Sequence, residues 1–260
     1  MTEGISTGAA TPEVAELELA DLGTALRLGW LDFRKAPLFG IFFASVYVIG
    51  GWLIAWAMTA QGQIWWTIIA GAGFPILGPF IACGFYEVSR RIEAGEPLTW
   101  GGVLGVIGAQ KDRQIPSMAA VVVVFFLFWN FLGHMIFALF LGRVTMTNIS
   151  TSLEVFTTPQ GLGMLLLGTI VGAMFAGVLF ALTVVSLPLL LDRDVDFITA
   201  MITSTGVVLH NPRVMLNWGA LIAFLLFASM ATGFLGLFAV LPLLGHATWH
   251  LYRRAVIPEE

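Results

Sequence analysis

The chain has 260 residues, of which 58% are hydrophobic and only 11% charged, with a mean hydropathy of +0.91. An ordinary soluble domain carries about a quarter charged residues, so a water-soluble fold is excluded. The formal net charge of -4 says little about partners, because five of the sixteen acids lie in the first 21 residues, and no basic stripe with interleaved aromatics gives a nucleic-acid footprint.

Residues 1–18 form a polar stretch rich in Thr, Ala and Glu, expected to be a disordered cytoplasmic tail. It lacks a charged segment followed by a short apolar core, so the first span is expected to direct insertion. A span needs about 20 mostly apolar residues, since a helix rises about 1.5 Å per residue through about 30 Å of hydrocarbon. The run 38–86 is about twice that length and breaks at Thr59-Ala60-Gln61-Gly62-Gln63, giving two spans. The runs 116–142 and 161–191 give one each. As a single helix the run 214–252 would be about 58 Å long, nearly double the hydrocarbon thickness, so a turn near Thr232-Gly233 is expected to split it.

Charge supports the six-span division. Eleven of the twelve Lys and Arg then share one face, with Arg143 alone on the other, which is the positive-inside pattern and puts both termini in the cytoplasm. Five spans would export Arg253 and Arg254. The one sizeable outer loop is then about 143–160. The single Cys83 lies in an apolar run, so the chain has no intramolecular disulfide and no Cys-rich metal site.

The chain also repeats itself three times, as a short cytoplasmic helix, a proline, an outgoing span and a returning span with another proline. Thr24-Ala25 stands thirteen residues before Pro37 and Thr199-Ala200 thirteen before Pro212, while the middle copy runs from Thr99-Trp100 to Pro116. The returning spans carry Pro79, Pro188 and Pro242. In the first short helix Leu19, Leu22, Leu26, Trp30 and Phe33 fall within about 80° of one another at about 100° per residue. That stripe suits a helix in the headgroup layer, and packing against the span ends is the alternative. In the middle copy Gly101, Gly105 and Gly108 are expected to face a packed neighbour. The fold class is therefore all-α: a polytopic membrane protein of six transmembrane helices in three repeated units of short interfacial helix plus helical hairpin. The transmembrane domain covers 19–254, with repeats at about 19–96, 97–196 and 197–254, and a tail at 255–260.

Three segments carry a family resemblance: Gly-Phe-Tyr-Glu-Val-Ser-Arg-Arg-Ile-Glu-Ala-Gly at 84–95, Val-Ser-Leu-Pro-Leu-Leu-Leu-Asp-Arg-Asp-Val at 185–195, and Leu-Pro-Leu-Leu-Gly-His-Ala-Thr-Trp-His-Leu-Tyr-Arg at 241–253. The chain resembles an uncharacterised family of predicted bacterial integral membrane proteins, some of whose members carry a cytochrome c oxidase label. The resemblance runs from about 20 to 254. It implies a bacterial inner-membrane location and a six-helix fold, and supplies no catalytic residues. The label itself conflicts with the residues present. A haem–copper catalytic subunit uses at least six intramembrane histidines, and this chain has only His134, His210, His246 and His250. A copper-carrying partner subunit needs a thiolate cluster that one Cys cannot form. The label can then mean only association with respiratory complexes, or their assembly.

Two sets of residues are candidates for function. Glu87, Arg90 and Arg91, with Asp192, Arg193 and Asp194, sit at the cytoplasmic mouths of spans two and four, and His246 and His250 share a helix face at the end of span six. Together they could form a polar ring for a partner, a headgroup or an anionic solute. The alternative is local ion pairs and helix capping by Asp194 or Asp196. The i, i+4 histidines also suit a metal or a haem ligand, but an interfacial role is preferred, and no cofactor and no metal site is assigned. Asn130 and His134 lie near the middle of span three, with Asn217 as a candidate partner. They read as interhelical glue rather than as a polar pathway. Gly168 and Gly172 suggest close helix packing.

No charged side chain lies near the middle of a span, and no nucleophile–base motif is present. The expected function is therefore non-enzymatic: a structural, assembly or regulatory inner-membrane component whose partners are the lipid bilayer and other membrane proteins or a second copy. The alternative is a transporter or channel for a small or lipid-like solute. The topology has a direct test. In a Cys83→Ser background, single cysteines at Ser6, Ser152 and Glu259 are treated with an impermeant reagent from outside, and only the Ser152 position should react. External labelling at Glu259 would overturn the six-span count.

Overall fold

The computed structural model describes residues 12–61, 64–142 and 157–257, with the side chains of 57–77 outside the description. Most of the expected outer loop, including Arg143 and Ser152, therefore lies outside the described residues. The described chain is helical: α1 (Leu19–Lys35), α2 (Pro37–Gln61), α3 (Ile64–Ala94), α4 (Trp100–Ala109), α5 (Ile115–Leu141), α6 (Pro159–Thr183), α7 (Ser186–Asp192), α8 (Phe197–His210), α9 (Pro212–Ala231) and α10 (Leu237–Ala255). Four stretches, Pro37–Trp56, Ile115–Leu141, Pro159–Asp192 and Pro212–Ala231, are long and apolar enough to cross a membrane.

Local chemistry sets the helix starts. A proline stands in the first turn of α2, α5, α6 and α9, where its missing N–H would be unpaired in any case. The short helices begin on polar caps. Asp21 accepts the Glu18 N–H at 2.8 Å, Thr99 accepts the Gly102 N–H at 3.1 Å, and Asp196 accepts the N–H groups of Ile198 and Thr199 at 2.9 Å each. The side-chain hydrogen bond from Thr199, followed by these backbone donors, holds the Asp196 carboxyl below its ordinary range. Its cap is therefore in place at neutral pH and is lost as pH falls through and below the ordinary carboxylate value of about 4.

The break between α6 and α7 has an identifiable cause. Ser204 of α8 donates to the Ala181 carbonyl at 2.7 Å and accepts from the Val185 N–H at 3.1 Å. Those two backbone groups would otherwise bond each other in the i→i−4 ladder. A side chain inserted there breaks the helix, and Pro188 removes a further ladder donor. At the other end of the bundle, α9 turns into α10 through Gly233, whose φ of 64° suits glycine, and Phe234 at 69°. The turn is pinned to α2 by the Trp52 indole, which donates to the Gly233 carbonyl at 2.8 Å.

The short helices close the bundle at one end. α4 packs on α3, α8 on α6 and α7, and α1 on α10. The buried stripe of α1 is Leu22, Ala25, Gly29 and Asp32, while Leu19 and Trp30 from the expected apolar face are 58% and 45% exposed. Small residues explain the choice, because Ala25 and Gly29 let the α1 and α10 backbones approach. Gly101, Gly105 and Gly108 of α4 meet open space rather than a neighbour, and α4 instead buries Val103. Residues 12–18 are fixed rather than loose. Val14 bridges Val256, Ala15 donates to the Ala255 carbonyl at 3.0 Å, and Asn211 accepts the Leu17 N–H at 2.7 Å. Both described chain ends therefore lie at the same end of the bundle, and the eleven described Lys and Arg flank the helices there.

The main core gathers at this charged end, around Met118, Leu189, Met215, Trp218, Trp249 and Tyr252. By contrast only 17% of the apolar window in Ile115–Leu141 is buried, which leaves its surface to hydrocarbon. A Cβ on Gly29 would stand 2.6 Å from the Ala247 nitrogen, whereas one on Gly23 meets nothing within 4 Å. Gly29→Ala should therefore cost about 1–3 kcal/mol through overpacking. Gly23→Ala should be neutral or gain up to about 1 kcal/mol of helix propensity. Thermal unfolding of the two variants in detergent measures the difference, and equal midpoints would refute the α1–α10 contact.

Candidate functional site at the charged end

The ends of α3, α7 and α10 converge under α1, and their polar side chains form connected groups. The most buried joins Asp32, Ser89, His246 and His250. Ser89 Oγ lies 2.9 Å from Asp32 Oδ2 and 2.9 Å from His246 Nδ1, and His250 Nε2 lies 2.7 Å from the same Asp32 oxygen. A serine hydroxyl has one proton, which it gives to the carboxylate, so it accepts from the imidazole. That assigns the Nδ1–H tautomer to His246 and leaves its Nε2 as an acceptor, a buried atom without a hydrogen-bond partner among the described residues. The Phe85 ring meets the imidazole edge on, with ring centroids 5.7 Å apart.

A second group surrounds Glu87, whose side chain is fully buried. Arg90 reaches it at 2.8 and 3.0 Å and Arg91 at 2.6 Å. Both arginines also face Glu96, at 3.1 and 3.4 Å, and Arg91 donates to the Pro97 carbonyl at 3.2 Å. The Arg90 hydrogen bond holds the Glu96 carboxyl below its ordinary range. This set fixes the turn into α4, where Gly95 adopts φ 67°.

A third group ties α10 to both of its neighbours. The Trp249 indole donates to Glu93 at 2.9 Å, the Tyr252 hydroxyl donates to Asp192 at 2.6 Å, and Arg253 bridges Glu93 and Asp192 at 3.2 Å each. Arg254 pairs with Asp21 of α1. Arg193 donates to the Ile257 carbonyl at 2.8 Å, and Asp194 pairs with Arg113 at 2.8 Å on the open surface.

The eight candidate mouth residues are thus brought to one end of the bundle but shared among separate paired groups. His246 and Glu87 face inward, away from solvent. Of the two acids expected to cap α8, Asp196 does so. Asn130, His134 and Asn217 are not brought together. Each is exposed and bonds its own helix: Asn130 Nδ2 to the Phe126 carbonyl at 2.9 Å, His134 Nδ1 to the Asn130 carbonyl at 2.8 Å, and Asn217 Nδ2 to the Arg213 carbonyl at 2.8 Å. Among the described residues no group of three or more His, Cys, Asp or Glu is placed to hold a metal ion.

Asp32, Ser89 and Glu93 complete the site and were not picked out from the sequence. A signal for Asp32 was available: it stands on the Ala25–Gly29 stripe, where small residues mark a packed face. By comparison with known proteins, residues 67–192 match the model of an uncharacterised family described as predicted integral membrane protein (DUF2189). The chain is an integral membrane protein by that match, whose description names no oxidase. The match covers Glu87, Ser89 and Asp192, whereas Asp32, His246 and His250 lie outside it. No curated protein and no solved structure matches the chain.

Removing a buried hydrogen-bonded group leaves each of its partners unsatisfied at about 1–3 kcal/mol, whereas an exposed ion pair is worth about 0–1 kcal/mol. Asp32→Ala should therefore destabilise the protein severely and Arg113→Ala hardly at all. Denaturant unfolding of both variants measures this, and similar losses would contradict the buried linkage.

Proposed function

We propose that the chain is a non-enzymatic structural, assembly or regulatory component of the bacterial inner membrane, built as three repeats that span it six times, with both termini in the cytoplasm. The observation that carries this reading is that the polar side chains of the charged end are consumed in structural pairs, within α3 and its exit turn around Glu87 and between helices around Asp32 and Asp192. The most chemically capable of them, His246 and Glu87, are fully buried.

Several observations support the topology. The Val14–Val256 bridge calls for an even number of crossings. To the four qualifying stretches the reading adds α3, with 31 residues, and α10, which returns from the Gly233 turn. Three short helices each precede a long helix that begins on a proline, in the order the repeat requires. Arg27, Arg34 and Lys35 of α1 are exposed and have no carboxylate partner among the described residues, beside the exposed Trp30, Leu31 and Leu38. Basic residues mixed with an interfacial aromatic suit the cytoplasmic leaflet.

A carrier for a lipid-like solute is the second reading, favoured by one feature, an apolar cavity among the long helices. The two readings differ in what the protein does alone. Arg90 and Arg91 hold the buried Glu87, so the exposed α1 cations are the place to disturb a partner contact. Arg27→Glu with Arg34→Glu should weaken a complex that co-purifies in mild detergent, respiratory complexes being the first to look for, while stability stays within about 0.5 kcal/mol. Flux of a solute across vesicles by the purified protein alone, abolished in folded Asn130→Leu, would replace this reading with the transporter.

A further inference from the structure

We propose that the cavity between α2, α3, α5, α6 and α9 is a resident site for a lipid acyl chain, which enters from the bilayer between α6 and α9. The inference rests on the chain standing in a membrane and not on its structural or carrier role.

The cavity measures about 1200 Å³, above the ~300–1,000 Å³ usual for a drug-sized ligand. Along α5 its wall runs from Val122 to Phe137, about 22 Å at ~1.5 Å per residue. One leaflet's share of a ~30 Å hydrocarbon core is about 15 Å, so the space takes a whole chain lengthwise. The described lining has no charged residue, and Tyr47, Trp129 and Thr169 are its only side chains with a polar group. Water held in such a space would lack the two to four polar partners it needs. A charged or strongly polar solute would be desolvated without compensation.

The route in is lateral. No extended packing joins α6 to α9 among the described residues. Phe180 approaches Gly219 there, with its ring 3.6 Å from where a Cβ on that glycine would stand. Farther along, Phe227 of α9 both lines the cavity and is 72% exposed, so the cavity wall continues into the lipid-facing surface. The glycines fit the same picture. Gly168, expected at a helix contact, faces open space, as does Gly133, and a Cβ on either meets nothing within 4 Å. Gly172 does lie against a neighbour, since a Cβ there would stand 3.0 Å from the Trp129 ring, and one on Gly78 would stand 3.4 Å from the Tyr47 hydroxyl. Small residues on these walls leave a channel for methylenes rather than a packed seam. What surrounds the opening in a bilayer is hydrocarbon, so an acyl chain is the occupant already present at high concentration.

The full chain would be reconstituted in phosphatidylethanolamine vesicles containing a phosphatidylethanolamine with a diazirine on its acyl chain, irradiated, and mapped by peptide mass spectrometry. Adducts are expected at Trp129 inside the cavity as well as at Leu139, which is 72% exposed on the outer surface of α5. Gly168→Phe, and Gly133→Leu as a second filling variant, should cut the Trp129 adduct about tenfold relative to Leu139. Labelling of Leu139 without Trp129 in the unaltered protein would overturn the proposal, whatever the variants do. So would Trp129 labelling that persists at full strength in a folded filled variant. Neither result bears on the partner complex, so this proposal and the structural reading fail separately.

Discussion

A buried carboxylate costs several kcal/mol unless it is paired, and the charged end of this protein is arranged around that constraint. Asp32 and Glu87 are 4% and 0% exposed. Asp32 draws its partners from α3 and α10, through Ser89 and His250. Glu87 takes both arginines of its own helix, and those arginines in turn fix the chain as far as Pro97. Asp192, at the end of α7, is met by Tyr252 and Arg253 of α10. The Asp32 and Asp192 links specify which helix end stands beside which, and the Glu87 set holds the exit of α3. A hydrophobic replacement of similar volume could be as stable, but it would not choose one register among neighbours.

The uneven packing of the molecule follows from what surrounds each part. Between lipid-immersed helices there is no hydrophobic driving force, because hydrocarbon chains are as apolar as leucine. Where water reaches the helix ends, burial is favourable again at about 25 cal/mol per Å². The core accordingly lies with Trp218, Trp249 and Leu189 at the charged end, while Leu139, Leu166 and Phe224 are left open along the long helices. Each short helix covers the end of a long one from a different hairpin, α4 over α3, α8 over α6 and α7, and α1 over α10. The last of these contacts closes the ring and brings the chain ends together.

Length and hydropathy made the long apolar helices legible in the sequence, because hydrocarbon thickness leaves few ways to divide a chain this apolar. The Gly233 turn was legible for the same reason, since 214–252 could not be one span. The Asp196 cap was legible from local chemistry. What was not legible depends on which face of a helix is buried. In α1 Leu19 and Trp30 of the most hydrophobic face turn outward, whereas Leu22 of that face turns inward with the smallest side chains, Ala25 and Gly29. A hydrophobicity wheel assumes water outside and oil inside, and at a bilayer edge both sides offer an apolar medium. The same ambiguity hid Asp32 behind its neighbours and made Gly101, Gly105 and Gly108 look packed. Asn130 and His134 illustrate a second limit: a polar side chain in a long helix can satisfy itself on the preceding turn, and spacing cannot reveal that choice.

The closed end and the open middle depend on each other. Because the ends of α3, α7 and α10 are locked by ion pairs, the helices above them need no continuous seam to hold their places. Ser204 adds to this by breaking α6 from α7, since it lets α7 follow the packed end while α6 takes its own direction. α6 can then stand apart from α9 beyond the Phe180–Gly219 approach. A Cβ on Gly168 or Gly133 would meet nothing within 4 Å, so nothing in the local packing requires glycine rather than alanine at either position. Glycine there costs helix propensity, about 1 kcal/mol each relative to alanine, without the return of a close contact. Keeping the cavity open is the compensation the structure offers for that cost.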